Sequence, residues 1–154
     1  MTKLQEMSEN FKYQYEIFLN GCDALEDKKD WDVSVNGDME TYYFNDIMCV
    51  IVLLISADGK FAGGEAKYIN DIFGFSYTPE ELRELYRTNG EDIQNMLEAE
   101  VPAGYRRMKL INSKLAEHYR QLIFLICDII AESDGYIQDA ELKQIERVKA
   151  GFAD

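Results

Sequence analysis

Apolar residues recur at helical spacing in most segments of this chain long enough to show a period. Phe11, Tyr15, Phe18, Leu19 and Cys22 mark one side of a helix predicted over 3–25. The pattern breaks at the charge run Glu26-Asp27-Lys28-Lys29-Asp30 and at the turn signal Asn36-Gly37-Asp38. Between them Trp31, Val33 and Val35 alternate with polar residues, so 26–38 reads as a loop with a short extended piece that folds back over the core. A second helix, 39–56, is apolar almost all round from Ile47 to Ile55 and belongs at the centre. Asp58-Gly59 stops it, and a third helix over 64–74 ends at Gly74. Thr78-Pro79-Glu80-Glu81 opens a fourth: Thr78 caps it, Pro79 suits the first helical position, and Glu81 completes a capping box.

A short acidic helix is expected over 91–99, and Pro102 and Gly104 mark the next break. The stretch 105–132 is helical, with Leu110, Leu115, Tyr119, Leu122, Ile123 and Ile126 on its buried side and a kink expected at Asn112-Ser113. The last helix covers 139–151 and turns Leu142, Ile145, Val148 and Phe152 inward. Little in the chain demands a sheet. The expected class is all-α, a compact helical domain of about seven helices spanning 1–154 as one unit.

Sliding the chain by 76 positions aligns two helix–loop–helix units, about 47–73 and 123–149. Ile47 to Ile55 falls on Ile123 to Ala131, apolar on apolar except at Asp128. Asp58, Gly59 and Glu65 fall on Asp134, Gly135 and Glu141; Phe61 falls on Ile137, Ile69 on Ile145 and Ile72 on Val148. A duplication accounts for this, with the two units expected to pack about a pseudo-twofold axis.

The shared segment, Asp-Gly-x-(Phe/Ile)-x-x-x-Glu, corresponds to positions 5 through 12 of an EF-hand loop. The glycine permits the sharp turn, the next apolar residue anchors the loop, and the glutamate opens the following helix with two oxygens to offer a cation. The front half is missing: position 1 would be Leu54 or Ile130, and position 3 would be Ser56 or Glu132. Each copy is therefore at most a half-site, and the second is richer because it adds Glu132 and Asp139. If the loops meet, Asp58, Glu65, Asp134 and Glu141 share one or two hard cations, with calcium, magnesium and manganese all suited to oxygen ligands. The alternative is purely structural. Asp-Gly also stops a helix, and the glutamate also complements the positive end of the next one. A reciprocal capping box would want Ser or Thr at Ala62 and Gln138, which weakens that alternative.

These residues resemble the tellurite-resistance TerB-like family. The resemblance lies in an apolar helix running into Ala57-Asp58-Gly59-Lys60-Phe61-Ala62-Gly63-Gly64-Glu65, and again in Ser133-Asp134-Gly135-Tyr136-Ile137-Gln138-Asp139-Ala140-Glu141. It implies an all-helical, pseudo-twofold fold with acidic loops suspected of metal binding. It also implies a role in stress response, in sensing or scaffolding rather than catalysis. Asp58, Glu65, Asp134 and Glu141 carry over as the motif acids. Ala62-Gly63-Gly64 departs from the polar residues expected there, which favours the second loop.

Composition narrows the partners. The net charge is -13, and the basic residues are scattered, so a nucleic-acid interface is not expected; cations and basic protein partners are the natural counterparts. Three cysteines without a C-x-x-C spacing, and no apolar signal-peptide core at Met1 to Glu6, lead to an expectation of a reducing cytoplasm. No apolar run approaches the ~20 residues that span a bilayer, so membrane insertion is not expected. The lone histidine, His118, has no zinc, di-iron or nucleophile pattern around it, and no phosphate-binding glycine loop occurs. The expected function is a non-catalytic interaction module whose acidic loops bind a divalent cation. A metal-free acidic adaptor is the alternative, and a metal-dependent hydrolase is the more distant one. Oligomeric state is not readable from the sequence.

Overall fold

The computed structural model describes residues 2–55, 70–81, 84, 87, 99, 101–133 and 139–152, excepting the side chains of 49, 52, 53, 55, 132, 133, 139–142 and 144. Six helices can be delimited among the described residues, and no strand occurs among them, in keeping with the all-α class.

Local chemistry sets the helix ends. Helix α1, Lys3–Asp27, starts on a capping box: the Gln5 N–H donates to Thr2 Oγ1 at 3.1 Å, and the Thr2 N–H donates to Gln5 Oε1 at 2.8 Å. Its Phe11, Phe18, Cys22 and Leu25 are buried. Helix α2, Val33–Asn36, is one turn where the alternation pointed to an extended piece. Asp32 decides this, because its carboxylate accepts from the Ser34 N–H at 3.0 Å and caps the turn. Val33 and Val35 then point outward, while Trp31 enters the core and donates to the Gly37 carbonyl at 2.8 Å. The segment does fold back over the core. Gly37 closes the turn at φ 74, where a side chain would be strained.

Helix α3, Met39–Ile55, is capped by Asp38, which accepts from the Thr41 N–H at 3.1 Å. Residues 70–73 end the next helix at Gly74, φ 79. The expected capping box follows, with Thr78 and Glu81 exchanging two bonds of 3.1 Å. The expected helix at 91–99 lies almost wholly outside the described residues.

Helix α4, Val101–Ile111, and helix α5, Ser113–Ser133, replace the continuous stretch expected over 105–132. The kink at Asn112 is a full break, because Asn112 Oδ1 accepts from the N–H groups of both Lys114 and Leu115 at 3.1 Å and starts a new helix. Pro102 and Gly104 do not break the chain; both lie in the first turn of α4, where a proline needs no N–H partner. Leu110 is 90 % exposed rather than buried. The inward phase read from α5 does not continue through the break into α4. Helix α6, Asp139–Gly151, closes the chain as expected.

Helix direction follows from contacts along α1. Glu26 Oε1 accepts from the Met39 N–H at 2.7 Å, and Phe18 lies 6.1 Å from Tyr43, so α1 runs antiparallel to α3. Gly21 lies against Leu115, Phe18 stacks on Tyr119 at 5.5 Å, and Asn10 shares a cleft with Leu125 and Asp128, so α1 is antiparallel to α5 as well. Helices α3 and α5 therefore run the same way. Helix α6 returns: Lys149 reaches Asp128 at 3.6 Å, and the Phe152 ring sits 5.8 Å from Tyr119.

Candidate functional site

Tyr43 and Tyr119 place the two loop-bearing helices on a common level. Their ring centroids are 5.2 Å apart, and Phe18 touches both. The two tyrosines are separated by the same 76 positions as the repeated segments. From that level α3 rises roughly 18 Å to Ile55 and α5 roughly 21 Å to Ser133. Both helices thus end at one end of the bundle. The segments carrying the two acidic motifs begin there.

Of the predicted acids, Asp58, Glu65 and Asp134 lie outside the described residues. Glu132 belongs to the last turn of α5, and Asp139 and Glu141 to the first turn of α6; their side chains also lie outside the description. The first turn of a helix suits a carboxylate, because its free N–H groups carry partial positive charge. Among the described residues no group of three or more His, Cys, Asp or Glu side chains could hold a metal ion.

The opposite end of the bundle holds an acidic cluster that sequence reading missed. Asp23 and Glu26 near the end of α1 face Asp38 and Glu40 at the start of α3. Hydrogen bonding with Asp23, partial burial and the charges of Asp23, Asp38 and Glu26 push the Glu40 carboxyl from 4.5 up to about 7. Burial also raises Glu26, against the Met39 N–H that favours its charge, and Asp38 adds to the rise. Asp38 itself is held low by the hydroxyl and N–H of Thr41. The helical periodicity of each segment showed acids at both ends, but only antiparallel packing brings them together.

This cluster makes stability pH-dependent. Folded Glu40 keeps its proton up to about pH 7, whereas the unfolded chain releases it near 4.5. The folded state binds more protons in that window, so this group's contribution is greatest below pH 4.5 and is lost as pH rises through 7. Glu40→Gln keeps a neutral donor to Asp23 and removes the titration. The expected gain near pH 8 is about 1 kcal/mol, after allowing for solvent screening of a half-exposed group. Urea midpoints measured from pH 4 to 8 check it; curves for the two proteins that stay parallel would refute it.

Two cysteines and the histidine pack inside the fold. Burial pushes the thiols of Cys22 and Cys127 up to about 12, which makes both poor nucleophiles; both are free. His118 packs in the seam between α1 and α5, its Nε2 donating to the Gln14 carbonyl at 2.8 Å. No helix among the described residues is long and apolar enough to cross a membrane.

Two features of the geometry meet in one comparison. The family whose model carries the description "Tellurite resistance protein TerB" matches residues 45–153, a span that takes in both acidic motifs, most of α3 and all of α5. No curated protein and no solved structure matches the chain. With an all-helical architecture and a match over well more than half its length, this chain belongs to the TerB family.

Proposed function

We propose that the chain is a non-catalytic stress-response module of the cytoplasm that binds a divalent cation through its acidic loops and engages a protein partner. The observation that carries this reading is the common direction and common end of α3 and α5. Two half-loops, each short of the 6–8 oxygens calcium takes, become useful only if they start from the same end of the fold. Asp134 and Glu141 are the principal ligands, with Glu132 and Asp139 in support; Asp58 and Glu65 supply the weaker half. The free thiols of Cys22 and Cys127 suit a reducing compartment.

Calcium at a hundred times its dissociation constant is expected to stabilise the protein by about 2.7 kcal/mol, and EDTA to reverse this. Asp134→Asn with Glu141→Gln should abolish the effect, while Asp58→Asn with Glu65→Gln should reduce it. Thermal melts with calcium, magnesium, manganese or EDTA decide the matter. If neither cation nor chelator moves the melt, cation binding is wrong.

The net charge of -13 favours a second reading, a metal-free adaptor for basic partners. It expects a partner retained in EDTA and released by salt.

A further inference from the structure

The turn between α2 and α3 sets an asparagine carboxamide beside a glycine nitrogen, with a guanidinium on the carboxamide oxygen. Asn36 is the last residue of α2, and Gly37 follows it at φ 74. Gly37 is exposed, and a Cβ placed on it would meet nothing within 4 Å. Arg107 of α4 donates through Nη1 to Asn36 Oδ1 at 3.1 Å. Packing over the Trp31 ring at 5.7 Å and the Tyr42 ring at 5.9 Å keeps that guanidinium in place.

The main chain here opens easily. Helix α2 is a single turn, in which Asn36 and Gly37 donate to the Asp32 and Val33 carbonyls, both at 2.9 Å. One turn has little stability of its own. Breaking the Gly37–Val33 bond frees the Gly37 nitrogen. Asn20-Gly21 offers the same dipeptide in the opposite setting, inside the 25 residues of α1. The helical ladder continues on both sides of it. Leu115 also lies within 2.6 Å of a Cβ placed on Gly21, so the main chain has no room to swing. A third such pair, Asn89-Gly90, lies outside the described residues.

We propose that Asn36 is a site of spontaneous deamidation, with Gly37 as the attacking residue and Arg107 as the group that steadies the developing charge. The Gly37 nitrogen loses its proton to solvent and bonds to Asn36 Cγ. Cγ becomes tetrahedral, and its oxygen takes the negative charge beside the guanidinium. A guanidinium binds an oxyanion more strongly than a neutral carbonyl, so the contact lowers the barrier. The bond from Cγ to Nδ2 then breaks, and the nitrogen leaves as ammonia after taking a proton from solvent. Water opens the cyclic imide that remains. Addition at Cγ gives aspartate, and addition at the Asn36 main-chain carbonyl carbon gives isoaspartate. No oxidant or cofactor is consumed. The iso form lengthens the main chain just before the Gly37 carbonyl that Trp31 holds.

The test ages the purified full chain at neutral pH and maps its peptides by mass spectrometry, after digestion at acidic pH where the imide does not form. Asn36 is expected to show the mass of an amide-to-acid exchange and an isoaspartyl product, while Asn20 stays intact. Arg107→Met keeps a stem over Trp31 and removes the donor. It is expected to slow the reaction about fivefold, the scale of one hydrogen bond. Arg106→Met removes the same charge from an exposed neighbour and should leave the rate unchanged. Hydrogen exchange of the Gly37 amide measures how often the turn opens in each variant, so the rates are compared per opening. An intact Asn36 in the aged protein, equal reaction at Asn20, or a rate per opening in Arg107→Met that is unchanged or higher would each overturn the proposal.

Discussion

Trp31→Ala is expected to destabilise the protein by about 3–5 kcal/mol, the range for losing a large aromatic from a packed core. For a domain of this size that lowers the melting temperature by roughly 10 °C. The indole is 2 % exposed although it sits in a segment rich in charge. It packs 5.2 Å from the Tyr42 ring and 5.7 Å from Tyr43, and Arg107 lies 5.7 Å over its face. Its N–H holds the Gly37 carbonyl at 2.8 Å and so fixes the turn that leads into α3. Removing it leaves a cavity, an unpaired carbonyl and a loose 26–38 segment. Trp31→Phe should cost less, because it refills most of the cavity but not the hydrogen bond. Chemical denaturation measures both; a loss below 1 kcal/mol for Trp31→Ala would show that the segment is not part of the cooperative core.

Phe18→Ala is expected to cost a similar 3–5 kcal/mol, for a different reason. Phe18 is fully buried where α1, α3 and α5 meet, between Tyr43 at 6.1 Å and Tyr119 at 5.5 Å. It is the side chain through which α1 holds the two loop-bearing helices together. Tyr43 is also tied to α4, donating to the Gly104 carbonyl at 2.8 Å, and its burial keeps the phenol protonated far above its ordinary range. Phe18 and Trp31 both contact Tyr43. Their effects should therefore not add: the double variant is expected to deviate from the sum by about 0.5–3 kcal/mol. Strict additivity would show that Tyr43 does not couple the two ends of this aromatic cluster. If cation binding at the loops depends on α3 and α5 staying side by side, Phe18→Ala should also weaken the calcium-dependent shift.

The helices were legible because their causes are local. Capping at Thr78 with Glu81, the stop at Gly74 and the inward faces of α1 and α5 depend on residues three or four positions apart. The acidic segment that occurs at 58–65 and 134–141, and the family resemblance read from it, were legible for the same reason, because spacing along the chain carries them. Where the reading failed, two local signals competed. Alternation at Trp31, Val33 and Val35 suggested extension, but Asp32 capped a helical turn instead. Apolar spacing carried Leu110 into the buried face of a single long helix, but Asn112 ended that helix and began another.

What the sequence by itself determined is the helical class, most of the helix ends, an acidic segment that occurs twice, and membership of the TerB family. Only the tertiary structure decided how those pieces face one another. That α3 and α5 run in the same direction, so that both motif segments start at one end of the bundle, follows from α1 packing antiparallel to both. The same packing gathers Asp23, Glu26, Asp38 and Glu40 into one acidic cluster and leaves a cleft between α1 and α5. The physical reason is one of range. Capping and periodicity are energies between near neighbours in the chain. Helix direction, clustered carboxylates and clefts depend on contacts between residues tens of positions apart, and burial in a common core selects those contacts.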